Sequence, residues 1–290
     1  MWNLVYLEFS IPAYRGAMDQ AFHTVTSFAR ELGIYFAVFA ALAIVVKRQR
    51  IVEAVKRSRR EFGTNLGLTV VNALVIGPLF AAPTIAFAAF LDGSGLFGAF
   101  WDGLPELFVL LLAIVLVDFV AYWRHRLEHT PELWRFHATH HADTAIHWLS
   151  VQRKHPVAKI IAMLFDTALI LALGFPAWAV IGAAVLRSAW GHFIHADVPW
   201  TLGLFGEVLI SPAAHRLHHI RDEELMGTNY GNTVTLWDKL FGTWCDPAPY
   251  VDCETGIEEG TRGLLGELKR PWEARYRGAA AEPEPARELI

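Results

Sequence analysis

Long uncharged runs separated by short charged stretches dominate the first two thirds of the chain. A bilayer core about 30 Å thick is crossed by roughly 20 apolar residues in a helix. Leu32–Val46 is uncharged and extends back through Phe28. Thr64–Leu91 has no charge, with Pro78 and Pro83 predicting kinks. Leu107–Val117 continues through Asp118 to Trp123 and carries one acid. These predict three spans. A soluble bundle would show a polar face on most helices, and Thr64–Leu91 shows almost none. Thr167–Leu186 is a fourth apolar run, preceded by Val157–Asp166 and broken by Gly174-Phe175-Pro176, a helix stop followed by a turn. Its halves are short for full crossings at 1.5 Å per residue, so a membrane-penetrating hairpin is predicted. The expected fold is all-α: an integral membrane bundle of three spans plus a hairpin, with a cytoplasmic histidine-rich di-metal cap.

Charge sets the orientation. Segment 47–63 holds Lys47, Arg48, Arg50, Lys56, Arg57, Arg59 and Arg60, whereas 92–106 holds only acids. Basic loops stay cytoplasmic, which puts residues 47–63 and Arg124 inside. Residues 1–27 read as an interfacial segment, with Trp2, Tyr6 and Tyr14 suited to that depth, and not as a cleavable signal, because they lack a basic start. Residues 28–245 form the membrane-embedded domain and 246–290 a polar C-terminal tail, frayed over its final twelve residues. The absence of a retention motif at the C-terminus favours a bacterial inner membrane.

With 290 residues, 54% of them hydrophobic and 19% charged, a disordered chain is excluded. A net charge of −4 offers nothing to nucleic acid. Cys245 and Cys253 are too few for a disulfide framework or a cysteine zinc site.

The chemistry lies in the histidines. Ten of thirteen fall in four groups: His125 with His129; His137, His140 and His141; His192 with His195; and His215, His218 and His219. Spacings of three and four residues put the imidazoles of each group on one side of a helix. So many clustered imidazoles would repel if protonated and leave buried donors and acceptors unmatched if neutral; a bound cation removes both difficulties. Ten ligands suffice for two ions, and imidazole admits zinc, copper, iron or nickel. The hairpin would return His192 and His195 to the same face as the other groups. A membrane metal-binding protein or transporter and a zinc-type lipid hydrolase are the competing classes. Transporters place ligands along a path inside the bilayer, and two-metal hydrolases need bridging carboxylates, for which the boxes offer only Glu128.

HRLEH, HATHH and HRLHH resemble the three histidine boxes of the fatty acid hydroxylase/sterol desaturase superfamily of membrane di-iron oxygenases. Asp118 and Tyr122 before His125-Arg126, Arg153-Lys154-His155-Pro156, His195-Ala196-Asp197, Asn229-Tyr230-Gly231-Asn232 and the Trp237–Thr243 stretch are similar too, so the resemblance covers roughly residues 105–245. It implies two iron ions held by His125, His129, His137, His140, His141, His195, His215, His218 and His219. It also implies O2 as co-substrate, a lipid substrate, and electrons from an external donor of cytochrome b5, ferredoxin or flavoprotein type, with hydroxylation and desaturation both open. His192 is taken as a tenth ligand, although the family varies at that position. Asp118, seven residues before His125 and so on the same helix face, is expected to accept from a ligand N–H. Asp143, Asp197 and Asp222 are candidates for the same task or for ordinary capping. Asp238 is expected to cap its turn, and His155 to be structural. His23 and His147 belong to no box.

Overall fold

The computed structural model describes residues 3–80 and 98–277. Helix α1 (Asn3–Lys47) runs unbroken past the boundary expected near residue 27, so residues 3–27 continue a helix and are not a separate segment. The basic stretch is a tight turn and not a loop: Arg48 takes φ 46° within Arg48–Arg50, and α2 (Ile51–Val71) starts at once. A π-helical turn, Asn72–Ile76, follows. It lies just before Pro78, whose ring and missing N–H an ordinary α-ladder does not accommodate. The second half of the expected Thr64–Leu91 span, with Pro83, lies outside the described residues.

Helix α3 (Glu106–Glu128) carries the first histidine box at its C-terminal end, and α4 (Pro131–His141) carries the second. Two helices follow, α5 (Pro156–Ala172) and α6 (Ala177–Ile194). They are joined at Gly174, with φ 66°, and Pro176, the residue preceding the first turn of α6, so the Gly-Phe-Pro signal is a turn between helices as expected. Among the described residues two runs are long and apolar enough to cross a membrane, His23–Phe80, counted through the turn, and Glu106–Glu128.

The bundle closes on small side chains. Val109, Ala113 and Val117 of α3 pack against Ala179 and Ala183 of α6, capped by Trp101 and Phe175. A Cβ at Gly182 would meet Leu110 at 3.0 Å, so these helices approach as closely as small residues allow. Elsewhere the outer surfaces stay apolar. Ile34, Phe36, Leu107, Leu111, Leu164 and Ile181 are all exposed, an uncovered apolar extent that soluble monomers seldom show.

A cap sits on one end of the bundle. It comprises α4, a 3-10 turn Trp148–Gln152, α7 (Pro212–His218) and the chain to residue 277. The expected polar tail is corrected here: Ile257, Glu267 and Arg270 are buried, and α8 (Leu264–Lys269) packs on α2. Arg153 is the reason. Its Nη1 donates to Glu61 (2.6 Å) and Asn65, its Nη2 to Glu267 (2.7 Å) and Thr261, and its Nε to the Thr139 carbonyl (2.7 Å). A buried guanidinium is tolerated when its donors are satisfied, and residues 261–270 supply two of the acceptors. The last twelve residues lie outside those described.

Candidate metal centre

The histidine boxes do not form one ligand group each. Two clusters of ring nitrogens emerge instead, each with all its ligand atoms within 4.8 Å of one another: His125, His129, His137, His141 and His218; and His140, His195, His215 and His219. The helical periodicity explains the split. On α4, His137 and His141 are four residues apart and share a face, while His140 is rotated off it toward the second cluster. The same HxxHH spacing on α7 and its C-terminal residue sends His218 to the first cluster and His215 and His219 to the second. Ring centroids of His141 and His219 lie 4.4 Å apart, so the clusters adjoin.

Within each cluster, nitrogens face nitrogens. Nε2 of His125 lies 3.1 Å from that of His137 and 3.0 Å from that of His218, and His141 Nε2 lies 3.1 Å from His137 Nε2. In the second cluster His215 Nε2 is 3.0 Å from His195 Nε2 and 3.2 Å from His219 Nε2. Metal–imidazole bonds of about 2.1 Å place neighbouring ligands at right angles about 3.0 Å apart, and tetrahedral ones about 3.4 Å apart. The spacings therefore suit ions of more than four-fold coordination better than a structural zinc. His129 Nε2 is buried without a hydrogen-bond partner among the described residues, and the Nε2 atoms that face one another within each cluster have no oxygen acceptor or other donor between them. The residues present thus fit two metal ions.

Four of the rings are aimed by acceptors behind them. His125 Nδ1 donates to the Tyr230 carbonyl (2.8 Å), His218 Nδ1 to the Thr228 carbonyl (2.7 Å) and His195 Nδ1 to the Gly191 carbonyl (2.7 Å). His137 Nδ1 faces the Glu128 carboxylate at 3.3 Å. Each contact leaves Nε2 free for the cluster. Burial, then neighbouring imidazoles, holds His137, His140, His141, His215 and His219 well below the ordinary histidine value. Burial takes His195 down to about 3 and His218 to about 4. All seven are neutral at pH 7, the form that binds metal.

His192 is in neither cluster. Its ring stacks on Tyr35 (centroids 4.0 Å apart, 13° between planes), Nδ1 donates to the Ser188 carbonyl, and Nε2 faces Gln152. Although His195 follows within one turn of α6, its ring meets His215, whereas that of His192 is held against α1 by Tyr35. Asp118 also departs from expectation. Seven residues are about 10.5 Å of helix rise, too far for a direct contact with the His125 ring nitrogens. The gap is filled by the 229–234 loop, and Asp118 accepts from the backbone N–H groups of Thr233 and Val234. Asp238 holds the other side of that loop through Tyr230 N, Gly231 N and Thr243 Oγ1. The two acids position the Tyr230 carbonyl, and through it His125.

The other acids are placed apart from the imidazoles. Asp197 joins Lys47, Arg57 and Arg216, so it fastens the α1–α2 turn to the cap. Asp222 caps the turn beginning at Glu223. Asp143 accepts from Asn65 and Ser150, beside His147. His155 bonds the Leu268 carbonyl and accepts from Val157 N, a structural role.

A cavity of about 40 Å³ touches both clusters, reaching His125 and His137 of one and His140, His195 and His215 of the other. Arg124, Glu128, Lys154, Arg187 and Asn232 complete its wall. It has room for about two or three water-sized molecules. Burial and the nearby Arg124 push the Lys154 ammonium down to about 7. Sequence reasoning quoted Lys154 within a family-like element but gave it, Arg124 and Arg187 no place at the site, because a cation near a span reads as an interfacial anchor. Glu128, inside the first box, was visible.

Residues 110–243 match the fatty acid hydroxylase family model. That segment, just under half of the chain, is similar to the fatty acid hydroxylase/sterol desaturase superfamily. Among curated relatives, ornithine lipid hydroxylase OlsE of Rhizobium tropici is 29% identical over 194 residues, 66% of this chain and 58% of that protein. An alkylglycerol monooxygenase of Xenopus tropicalis is 30% identical over 62% of this chain and 41% of its own length. A Delta(7)-sterol 5(6)-desaturase of Aspergillus fumigatus is 28% identical over 65% and 54%. The chain thus spans about half the length of these relatives. No solved structure matches it. The matched segment holds α3 through the 229–234 loop, and so every member of both clusters.

Proposed function

We propose that this chain is an integral membrane di-iron oxygenase that hydroxylates an unactivated carbon of a lipid with O2 and electrons from an external partner. The observation that carries this reading is one small cavity walled by both imidazole clusters. The relatives support it, being named as lipid hydroxylases, monooxygenases and a sterol desaturase. Their names favour hydroxylation over desaturation and suggest a polar or ether lipid. The membrane setting is supported by the exposed apolar helix faces, and the basic residues of the α1–α2 turn and the start of α2 support a cytoplasmic cap, which we place in a bacterial inner membrane.

Iron held by His125, His129, His137, His141 and His218, and by His140, His195, His215 and His219, would supply the reductive activation of dioxygen that an inert C–H bond requires. The chain's own groups do the rest. Glu128 and the Tyr230, Thr228 and Gly191 carbonyls orient the rings. The small cavity leaves room beside the clusters for only a few water-sized molecules. Arg124, Arg187 and Lys154 give it a cationic wall, balanced by Glu128 and by Asp166, which bonds Arg124 and Arg187.

The decisive experiment is metal analysis with Mössbauer spectroscopy on iron-57-loaded protein, joined to lipid mass spectrometry in cells with and without the gene. Two coupled irons per chain and an O2-dependent lipid carrying one added oxygen are expected. A lipid lacking two hydrogens would shift the assignment to desaturation. One exchange-resistant zinc without O2-dependent product would overturn it.

A further inference from the structure

A second cavity, of about 290 Å³, lies behind the metal-centre wall between α1, α2, α5 and α6. None of its lining residues is a member of either metal cluster. Its nearest approach to the centre is through sequence neighbours: Gln152 lines it where Val151 lines the small cavity, and His192 lines it one helical turn from His195. The volume sits at the low end of small-molecule pockets.

The wall is chemically mixed. Phe28, Leu32 and Met163 form its apolar side, while Glu31, Asn72, Gln152, Lys159 and His192 present polar atoms. Asn72 is the informative one. It opens the π-helical turn, a register shift that tends to mark functional positions. Its side chain is 5% exposed, its Nδ2 donates to the Lys154 carbonyl (2.9 Å), and its Oδ1 has no partner. An acceptor so buried is costly to leave unmatched, so it awaits a donor brought by a ligand. Glu31 and Lys159 stand on the same wall with no ion pair to each other or to another described side chain. The His192–Tyr35 stack gives the chamber a rigid aromatic floor. Ile34 and Val38, one turn apart on α1 and flanking its chamber-lining face, are exposed apolar residues, a track along which an acyl chain can leave.

We propose that this chamber binds the head group of a zwitterionic, amine-bearing lipid. The ammonium meets Glu31 and Asn72 Oδ1, the acidic group meets Lys159, and the acyl chain runs out along α1. The assignment gives His192 and Gln152 a part that metal binding does not. It does not take that lipid to be the oxidised substrate, because the chamber touches neither imidazole cluster.

The test is titration of the detergent-purified full chain with lysophosphatidylethanolamine, followed by calorimetry. Glu31→Gln and Lys159→Met are each expected to weaken binding at least tenfold, and Met163→Trp to abolish it by filling the chamber. Lysophosphatidylglycerol, which lacks the ammonium, is expected to bind at least tenfold more weakly and to ignore Glu31→Gln. Glu31 is exposed, so that variant is expected to keep the parent unfolding temperature. His140→Ala, which disables the metal centre, is expected to bind the probe as the parent does, separating this site from the oxygenase reading. Binding within twofold of the parent in both Glu31→Gln and Met163→Trp would overturn the proposal. So would free phosphoethanolamine binding as tightly as the lysolipid, since the site would then not be one for a lipid.

Discussion

Replacing Arg153 by leucine is expected to detach the C-terminal segment from the cap. Arg153 makes five hydrogen bonds, two of them to the carboxylates of Glu61 and Glu267, and it and Glu267 are fully buried. Removing it strands Glu61 with only the hydroxyls of Thr144 and Thr261. Glu267 keeps Arg270 and the Arg262 N–H. Breaking a buried pair by deleting one partner destabilises by about 3–5 kcal/mol, mostly the penalty of the charge left behind. At about 1.4 kcal/mol per decade, the open population of residues 246–277 rises a hundredfold or more. The assay is trypsin cleavage at Arg262 and Lys269 in detergent, read by mass spectrometry under conditions where reclosing outruns cleavage. Arg153→Lys, with one compact ammonium in place of a planar fork, should lie between parent and Arg153→Leu. Adding Glu61→Gln to Arg153→Leu should recover part of the loss, because the stranded charge is gone. A cleavage rate within threefold of the parent in Arg153→Leu would refute the reasoning. Because Nε also holds the Thr139 carbonyl, between His137 and His140, the same variant should hold metal less tightly.

Asp118→Ala should free the 229–234 loop and lower metal affinity about 10–100-fold, measured as faster iron loss to a chelator, while His192→Ala retains both ions. Gly231→Ala should do comparable damage, since a Cβ there meets the Val234 carbonyl at 2.6 Å and Asp238 Oδ2 at 2.8 Å; unchanged iron retention would count against the loop's role. The metal-free cap should weaken on acidification. Its imidazoles sit below 6.5 when folded, so the unfolded chain takes up protons first, and stability falls as pH drops from 6.5 toward the folded values, by about 1.4 kcal/mol per pH unit for each group. Denaturant titrations at pH 7.5 and 5 check this, with constant or rising stability at pH 5 as the contrary result.

The sequence by itself determined the helices, the break at Gly174 and the histidine groups from which nine cluster, with His192 the exception, because these depend on local terms: run length, a residue free to take positive φ, and i,i+3/i,i+4 spacing on a helix. The resemblance to the fatty acid hydroxylases rests on those same short motifs. Only the tertiary structure decided how the ligands partition. HxxHH looks like one site in the sequence, yet successive positions turn by about 100°, and it takes two facing helices to show that one box feeds two clusters. The role of Asp118 was invisible for the same reason, since its partners lie 115 and 116 residues away. The C-terminal segment reads as a polar tail because buried Glu267 and Arg270 have the composition of a solvated surface. What makes them interior is Arg153, more than a hundred residues upstream, and no local pattern carries that pairing.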